Sequence, residues 1–156
     1  MLSRLDYKNG YSLYIGIPFC PSTCLYCSFT SYPLTAWKTQ VDAYLDALEK
    51  ELDYVAAKNY HRKLNSIYIG GGTPTTLEPY QLDRLIRKIR CSFDLGDCLE
   101  FTVEAGRPDS ITEEKLLVLR KNGISRISIN PQTMKQKTLD LIGRCLLYTS
   151  DAADEL

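Results

Sequence analysis

Apolar residues recur along this chain in two periods that take turns, one suited to strands and one to helices. Residues 12–17, Ser-Leu-Tyr-Ile-Gly-Ile, are rich in β-branched and aromatic side chains and stop at Pro18, which predicts a strand. From about 35 to 60, the apolar positions Val41, Tyr44, Leu45, Leu48, Leu52 and Val55 keep the three- and four-residue spacing of one helical face. Ser66–Ile69 predicts a second strand, running into Gly70-Gly71-Gly72-Thr73-Pro74. A helix from about Pro79 to Ile89 then carries Leu82, Leu85, Ile86 and Ile89 on one side. Leu99–Ala105 alternates as a third strand, and Thr112–Lys121 predicts a helix. That helix has only a partial capping signature, because Thr112 is followed by Glu114 rather than by an acid three residues on. Asn122-Gly123 ends it with residues suited to the left-handed conformation. Ile124–Ile129 and Met134–Ile142 add a fourth strand and a fourth helix.

Four strand-then-helix units in succession predict parallel strands with right-handed crossovers, in a barrel or an open doubly wound sheet. Both architectures place chemistry at the C-terminal ends of the strands. The unusual residues all fall there: cysteines after the first strand, glycines after the second, Glu104 on the third and Gln132 after the fourth. That coincidence points to one shared site.

Composition narrows the partners. At 156 residues and 44% apolar, the chain has the material for one core. Lys+Arg and Asp+Glu are both 19, which argues against a general nucleic-acid binder or a basic membrane-surface protein. No stretch approaches the roughly 20 apolar residues of a membrane span, and MLSRLDYKNG lacks a signal-peptide core. The expected address is the cytoplasm.

Of six cysteines, three fall within eight residues: Cys20-Pro-Ser-Thr-Cys24-Leu-Tyr-Cys27, a C-x3-C-x2-C spacing. Three thiolates on one short loop can bind three irons of a [4Fe–4S] cube and leave the fourth open to substrate, whereas electron-transfer clusters usually take four cysteines. A structural zinc site wants four ligands in paired spacings, and the one histidine, His61, lies at or beyond a predicted helix end. A disulfide is disfavoured in a reducing compartment. The scattered Cys91 and Cys98 read as buried or incidental thiols. The glycine turn at 70–72 lacks the lysine or spacing of a phosphate loop or a dinucleotide fingerprint. Its backbone can nonetheless approach a ligand closely.

The segment Tyr14-Ile-Gly-Ile-Pro-Phe-Cys-Pro-Ser-Thr-Cys-Leu-Tyr-Cys27 resembles the signature of the radical S-adenosylmethionine (SAM) superfamily, in the branch of oxygen-independent coproporphyrinogen III oxidases (dehydrogenases) and related haem chaperones. Many members carry a histidine where this chain has Gly16; the glycine version resembles a clostridial and bacillar coproporphyrinogen dehydrogenase-like subgroup. The resemblance covers about residues 5 to 144. It implies an α/β fold, a partial (βα) barrel of the radical SAM type truncated after about four βα units, with 1–11 a lead-in and 12–144 the core.

It also implies two cofactors, a [4Fe–4S] cluster on Cys20, Cys24 and Cys27, and SAM. One-electron reduction would cleave SAM to methionine and a 5′-deoxyadenosyl radical. The SAM contacts implied are Tyr14, Tyr26 near the adenine, the Gly71-Gly72-Thr73 backbone, Glu104 near the methionyl ammonium, Gln132 on the ribose and Arg144. By themselves, Glu104 could be a solvated or capping carboxylate and Gln132 a turn residue. Arg107 could be a surface arginine or an anion contact. The parent activity implied is oxidative decarboxylation of coproporphyrinogen III to protoporphyrinogen IX, with flavodoxin or ferredoxin as electron donor. Haem carriage, or another substrate, is the alternative.

From Cys145 the chain reads Cys-Leu-Leu-Tyr-Thr-Ser-Asp-Ala-Ala-Asp-Glu-Leu, which resembles translated sequencing-adapter DNA, so 145–156 is expected to be non-native. A four-stranded piece leaves a parallel edge and apolar surface uncovered. The chain alone is therefore expected to be aggregation-prone and inactive; a soluble, SAM-cleaving 156-residue protein would refute that.

Overall fold

Strand β1 (Tyr11–Ile17) buries Leu13, Ile15 and Ile17 on one face and turns Ser12, Tyr14 and Gly16 to the other, as alternation demands. This is a computed structural model describing residues 5, 6 and 8–143. Arg144 and the 145–156 segment lie outside the described residues. Besides a two-stranded pairing of Phe19–Cys20 with Tyr32–Pro33, three more strands of the same sheet follow, β2 (Leu64–Gly71), β3 (Glu100–Glu104) and β4 (Arg126–Ser128). All pair parallel, in the order β1-β2-β3-β4. A doubly wound sheet reverses its order at a switch point. This sheet runs in one direction without reversal, which is the arrangement of a barrel arc. The barrel reading of the sequence therefore holds over the doubly wound one.

Helices α1 (Val41–Asn59), α2 (Pro79–Ser92) and α3 (Glu113–Lys121) cover the apolar face of the sheet. Val41, Leu45, Leu48 and Leu52 of α1 meet Leu82, Leu85, Ile86 and Ile89 of α2 over Ile67, Ile69, Phe101 and Val103. This burial is the main source of stability, since each such side chain contributes on the order of 1.5–3 kcal/mol. Ion pairs such as Arg84 with Glu49 (2.7 Å) and Lys88 with Asp53 (2.6 Å) cross the solvent edge of the α1–α2 contact. They contribute little by comparison. A short helix, α4 (Gln136–Leu141), ends the described chain. No helix among the described residues is long and apolar enough to cross a membrane.

The structure departs locally from the sequence reading at three places. The helix expected from 35 begins as a separate turn, Leu34–Trp37, then a 3-10 turn, Lys38–Gln40, before α1. The apolar stripe itself starts only at Val41. The fourth strand is shorter than 124–129, at Arg126–Ser128, and just before it Ser125 uses its side chain as well as its backbone on Phe101. Its Oγ accepts from Phe101 N (2.8 Å) and donates to Phe101 O (3.2 Å). The α3 start is better capped than its sequence suggested: Thr112 Oγ1 accepts from Lys115 N (3.3 Å).

Candidate active site

The C-terminal strand ends converge on a cavity of about 170 Å³ lined by Cys20, Cys24, Cys27, Gly71, Gly72, Thr73, Glu104 and Gln132, with Tyr26, Phe29, Gly106, Arg107 and Asn130. Residues up to 112 positions apart thus meet at one point, because parallel strands all deliver their ends to the same side.

The cysteine loop is held to the glycine loop by backbone bonds. Gly72 N donates to Ile17 O (2.7 Å) and Thr73 N to Phe19 O (2.8 Å). Cys20 Sγ lies 3.3 Å from Thr73 Oγ1 in a buried contact. Only glycine fits this approach: a Cβ on Gly72 would stand 2.7 Å from Phe19 O and 3.0 Å from Cys20 Sγ. Gly71 has φ +106°, in the region that side chains disfavour.

A second set of bonds joins the loop after β3. Ser110 Oγ donates to Arg107 O (2.7 Å), so Thr75, 2.6 Å away, must donate its own hydroxyl to Ser110. Lys115 closes the set from α3, with Nζ donating to Thr75 O (2.6 Å) and Ser110 O (3.2 Å). Burial holds its ammonium pKa below the usual lysine range, with Glu78 partly opposing.

Tyr14 stands apart from the cavity lining. It lies on the sheet face opposite the helices, stacked on Tyr68 with ring centroids 5.9 Å apart, and lines an adjoining pocket that shares Phe29 and Gly71. Burial, then the Glu104 carboxylate and Tyr68, push its hydroxyl pKa up. Gln132 has φ +70°, unusual for a residue with a side chain, and its N–H donates to Asn130 Oδ1 (3.1 Å). Strain of this kind concentrates at functional sites.

Arg107, left undecided by the sequence, is 4% exposed. Its fork grips Asp109 (Nε 3.0 Å, Nη2 2.6 Å), and Nη1 faces Ser22 O (3.3 Å) and Cys24 Sγ (3.4 Å). Asp109, through those bonds, raises the guanidinium pKa further despite burial. The nearby acid at i+2 was the available signal in Arg-Pro-Asp. Phe29, Gly106 and Asn130 were also missed; no spacing marks them. Cys91 is exposed and Cys98 half-buried, and neither lines the cavity.

Residues 14–148 match the family model of the radical SAM superfamily. Among curated relatives, the chain is 46% identical over 140 residues to the oxygen-independent coproporphyrinogen-III oxidase-like protein HemZ of Bacillus subtilis, covering 88% of this chain and 28% of that protein. It is 43% identical over 134 residues to the heme chaperone HemW of the same organism, covering 85% and 35%. The solved coproporphyrinogen III oxidase (HemN) of Escherichia coli, described as a radical SAM enzyme, superposes with a TM-score of 0.78 at 30% identity over 97% of this chain and 37% of that one. The chain thus spans about a third of the length of the proteins it matches.

Enzymes of this superfamily use a [4Fe–4S] cluster and SAM, and the residues present fit both. Among the described residues, no three His, Cys, Asp or Glu side chains converge closely enough for a single metal ion. The glycine cradle, which a Cβ would fill, and the Glu104 carboxylate supply backbone polar groups and a negative charge, as an amino-acid-like ligand requires. The chain belongs to the radical SAM superfamily.

Proposed function

We propose that the protein carrying this chain is a coproporphyrinogen dehydrogenase, with Cys20, Cys24 and Cys27 as cluster ligands. The observation that carries the radical SAM part is the convergence of the cysteine loop, the glycine cradle, Glu104 and Gln132 on one cavity. The substrate part rests on the oxidase-like relative at 46% identity and the oxidase superposition.

When bound, the cluster and SAM together supply a 5′-deoxyadenosyl radical as hydrogen-atom acceptor. The chain's own residues bind and orient. The Gly71-Gly72-Thr73 backbone and Glu104 hold the amino-acid end of SAM, Glu104 pairing with its ammonium. Gln132 would hydrogen-bond the ribose and Tyr26 pack against the adenine, with Tyr14, from the adjoining pocket, and Arg144 completing the contacts. Each substrate propionate would give up one hydrogen atom from its β-carbon to that radical, one electron to a one-electron acceptor, and carbon dioxide, leaving a vinyl group, twice per tetrapyrrole. A flavodoxin or ferredoxin supplies reducing electrons.

The haem chaperone relative at 43% identity supports a second reading, haem carriage on the same scaffold. The test is anaerobic reconstitution of the protein, followed by SAM, a reductant and coproporphyrinogen III, with 5′-deoxyadenosine and porphyrin products quantified together. The expected result is deoxyadenosine with vinyl-bearing product. Deoxyadenosine without porphyrin conversion would move the assignment to haem carriage or another substrate, to be decided by haem titration. Neither cluster nor deoxyadenosine would overturn the radical SAM assignment.

A further inference from the structure

Arg107 is a buried cation with every edge of its guanidinium committed. A buried arginine is tolerable only when its charge is paired and its N–H groups are bonded. Asp109 takes the Nε and Nη2 edge in a two-pronged bond, which fixes the plane of the group. That orientation leaves Nη1 aimed at the cysteine loop, donating to Ser22 O at 3.3 Å and to Cys24 Sγ at 3.4 Å. The bond spans 83 residues of sequence and ties the loop after β3 to the loop after β1.

We infer that Arg107 is a positioning residue for the cluster: it anchors the Cys24 segment and places a fixed positive charge at that sulfur, making the bound cluster easier to reduce. This rests on the proposed role of Cys24 as a ligand. The guanidinium stays cationic at any working pH. Reduction adds negative charge to the cluster, so a cation bonded to one of its sulfurs stabilises the reduced form more than the oxidised form. Hydrogen bonds to sulfur and local charge are two of the levers a protein has on cluster potential. Asp109 works in two directions. It aims the guanidinium, and its negative charge damps the effect. The pair therefore makes a prediction of opposite signs, which a role in folding alone does not.

The test uses the protein carrying this chain, reconstituted without oxygen, with iron content measured first and the cluster's midpoint potential then found by spectroscopic titration. In Arg107→Met, the reduced-to-oxidised ratio at a fixed potential is expected to fall about tenfold, which for one electron is a shift of about 59 mV to more negative potential. Arg107→Lys, a point charge without the fork, should recover part of the shift. Asp109→Asn should raise the ratio, because the amide oxygen still accepts from the guanidinium and keeps its aim while the damping negative charge is gone. Fully loaded Arg107→Met and Asp109→Asn proteins at the wild-type potential would overturn the inference. Should Arg107→Met fail to load, Asp109→Asn decides alone: a raised potential supports the inference, and an unchanged or lowered one sinks it. A wild-type protein that binds no cluster would instead remove the functional reading beneath it.

Discussion

A Cys27→Ala protein, reconstituted without oxygen, is expected to lose its cluster absorbance and to cleave SAM more than about 100-fold slower than wild type, beyond the 10–100-fold typical of changes behind a ligand. The reason is stoichiometric. Each of the three thiols lining the cavity is assigned one iron, and neither Cys91 nor Cys98 lines that cavity to take over. Cys27 is the informative choice because it is only partly buried, whereas Cys20 and Cys24 are buried. Its removal leaves no core cavity, so loss of the cluster can be read apart from loss of fold. Far-ultraviolet circular dichroism should match wild type, and Cys91→Ser should keep a full cluster. Full iron content and absorbance in Cys27→Ala would falsify the assignment of that ligand.

The fold was legible wherever the signal was local. Alternation at Leu13, Ile15 and Ile17, and the stripe from Val41 to Leu52, are consequences of strand and helix geometry at single elements; the strand formed where expected, and the helix formed over the stripe from Val41. The cysteine loop was legible for the same reason, since three cysteines within eight positions need no tertiary information to be seen. Sequence could not choose between barrel and doubly wound sheet, because strand order is a property of the whole; the unreversed order of four strands decides it.

Ile127 shows the limit of periodicity. Its β-branched neighbourhood marks a strand but not how deep it lies; it is 37% exposed on the last strand of the sheet, an apolar position at an edge. Arg107 shows the limit from the polar side. An arginine's environment is set by partners distant in sequence, here Cys24 and Ser22, so composition alone left it between surface and site. Gln132 was named for its side chain, while the feature that singles it out structurally is its backbone, at φ +70°.

Gly72→Ala is expected to cost about 1–3 kcal/mol of stability and to lower cluster retention by about 10–100-fold. The added Cβ would meet Phe19 O at 2.7 Å and Ile17 O and Cys20 Sγ at 3.0 Å. Neither oxygen can swing aside as a flexible side chain would. Ile17 O accepts from Gly72 N (2.7 Å) and Phe19 O from Thr73 N (2.8 Å), so relieving the clash means breaking the bonds that join the two loops. The remaining outlet is movement of Cys20 Sγ, which displaces a proposed ligand. Gly16→Ala is the matched control. Its Cβ would have only Tyr14 Cε1 within 4 Å, at an ordinary contact distance of 3.8 Å. It should keep its iron and gain about 0.4–1 kcal/mol, because alanine restricts the unfolded chain. Chemical denaturation and iron analysis on both variants check the contrast. Wild-type stability and iron content in Gly72→Ala would mean that the cradle is slack, and that close backbone approach does not set the position of Cys20.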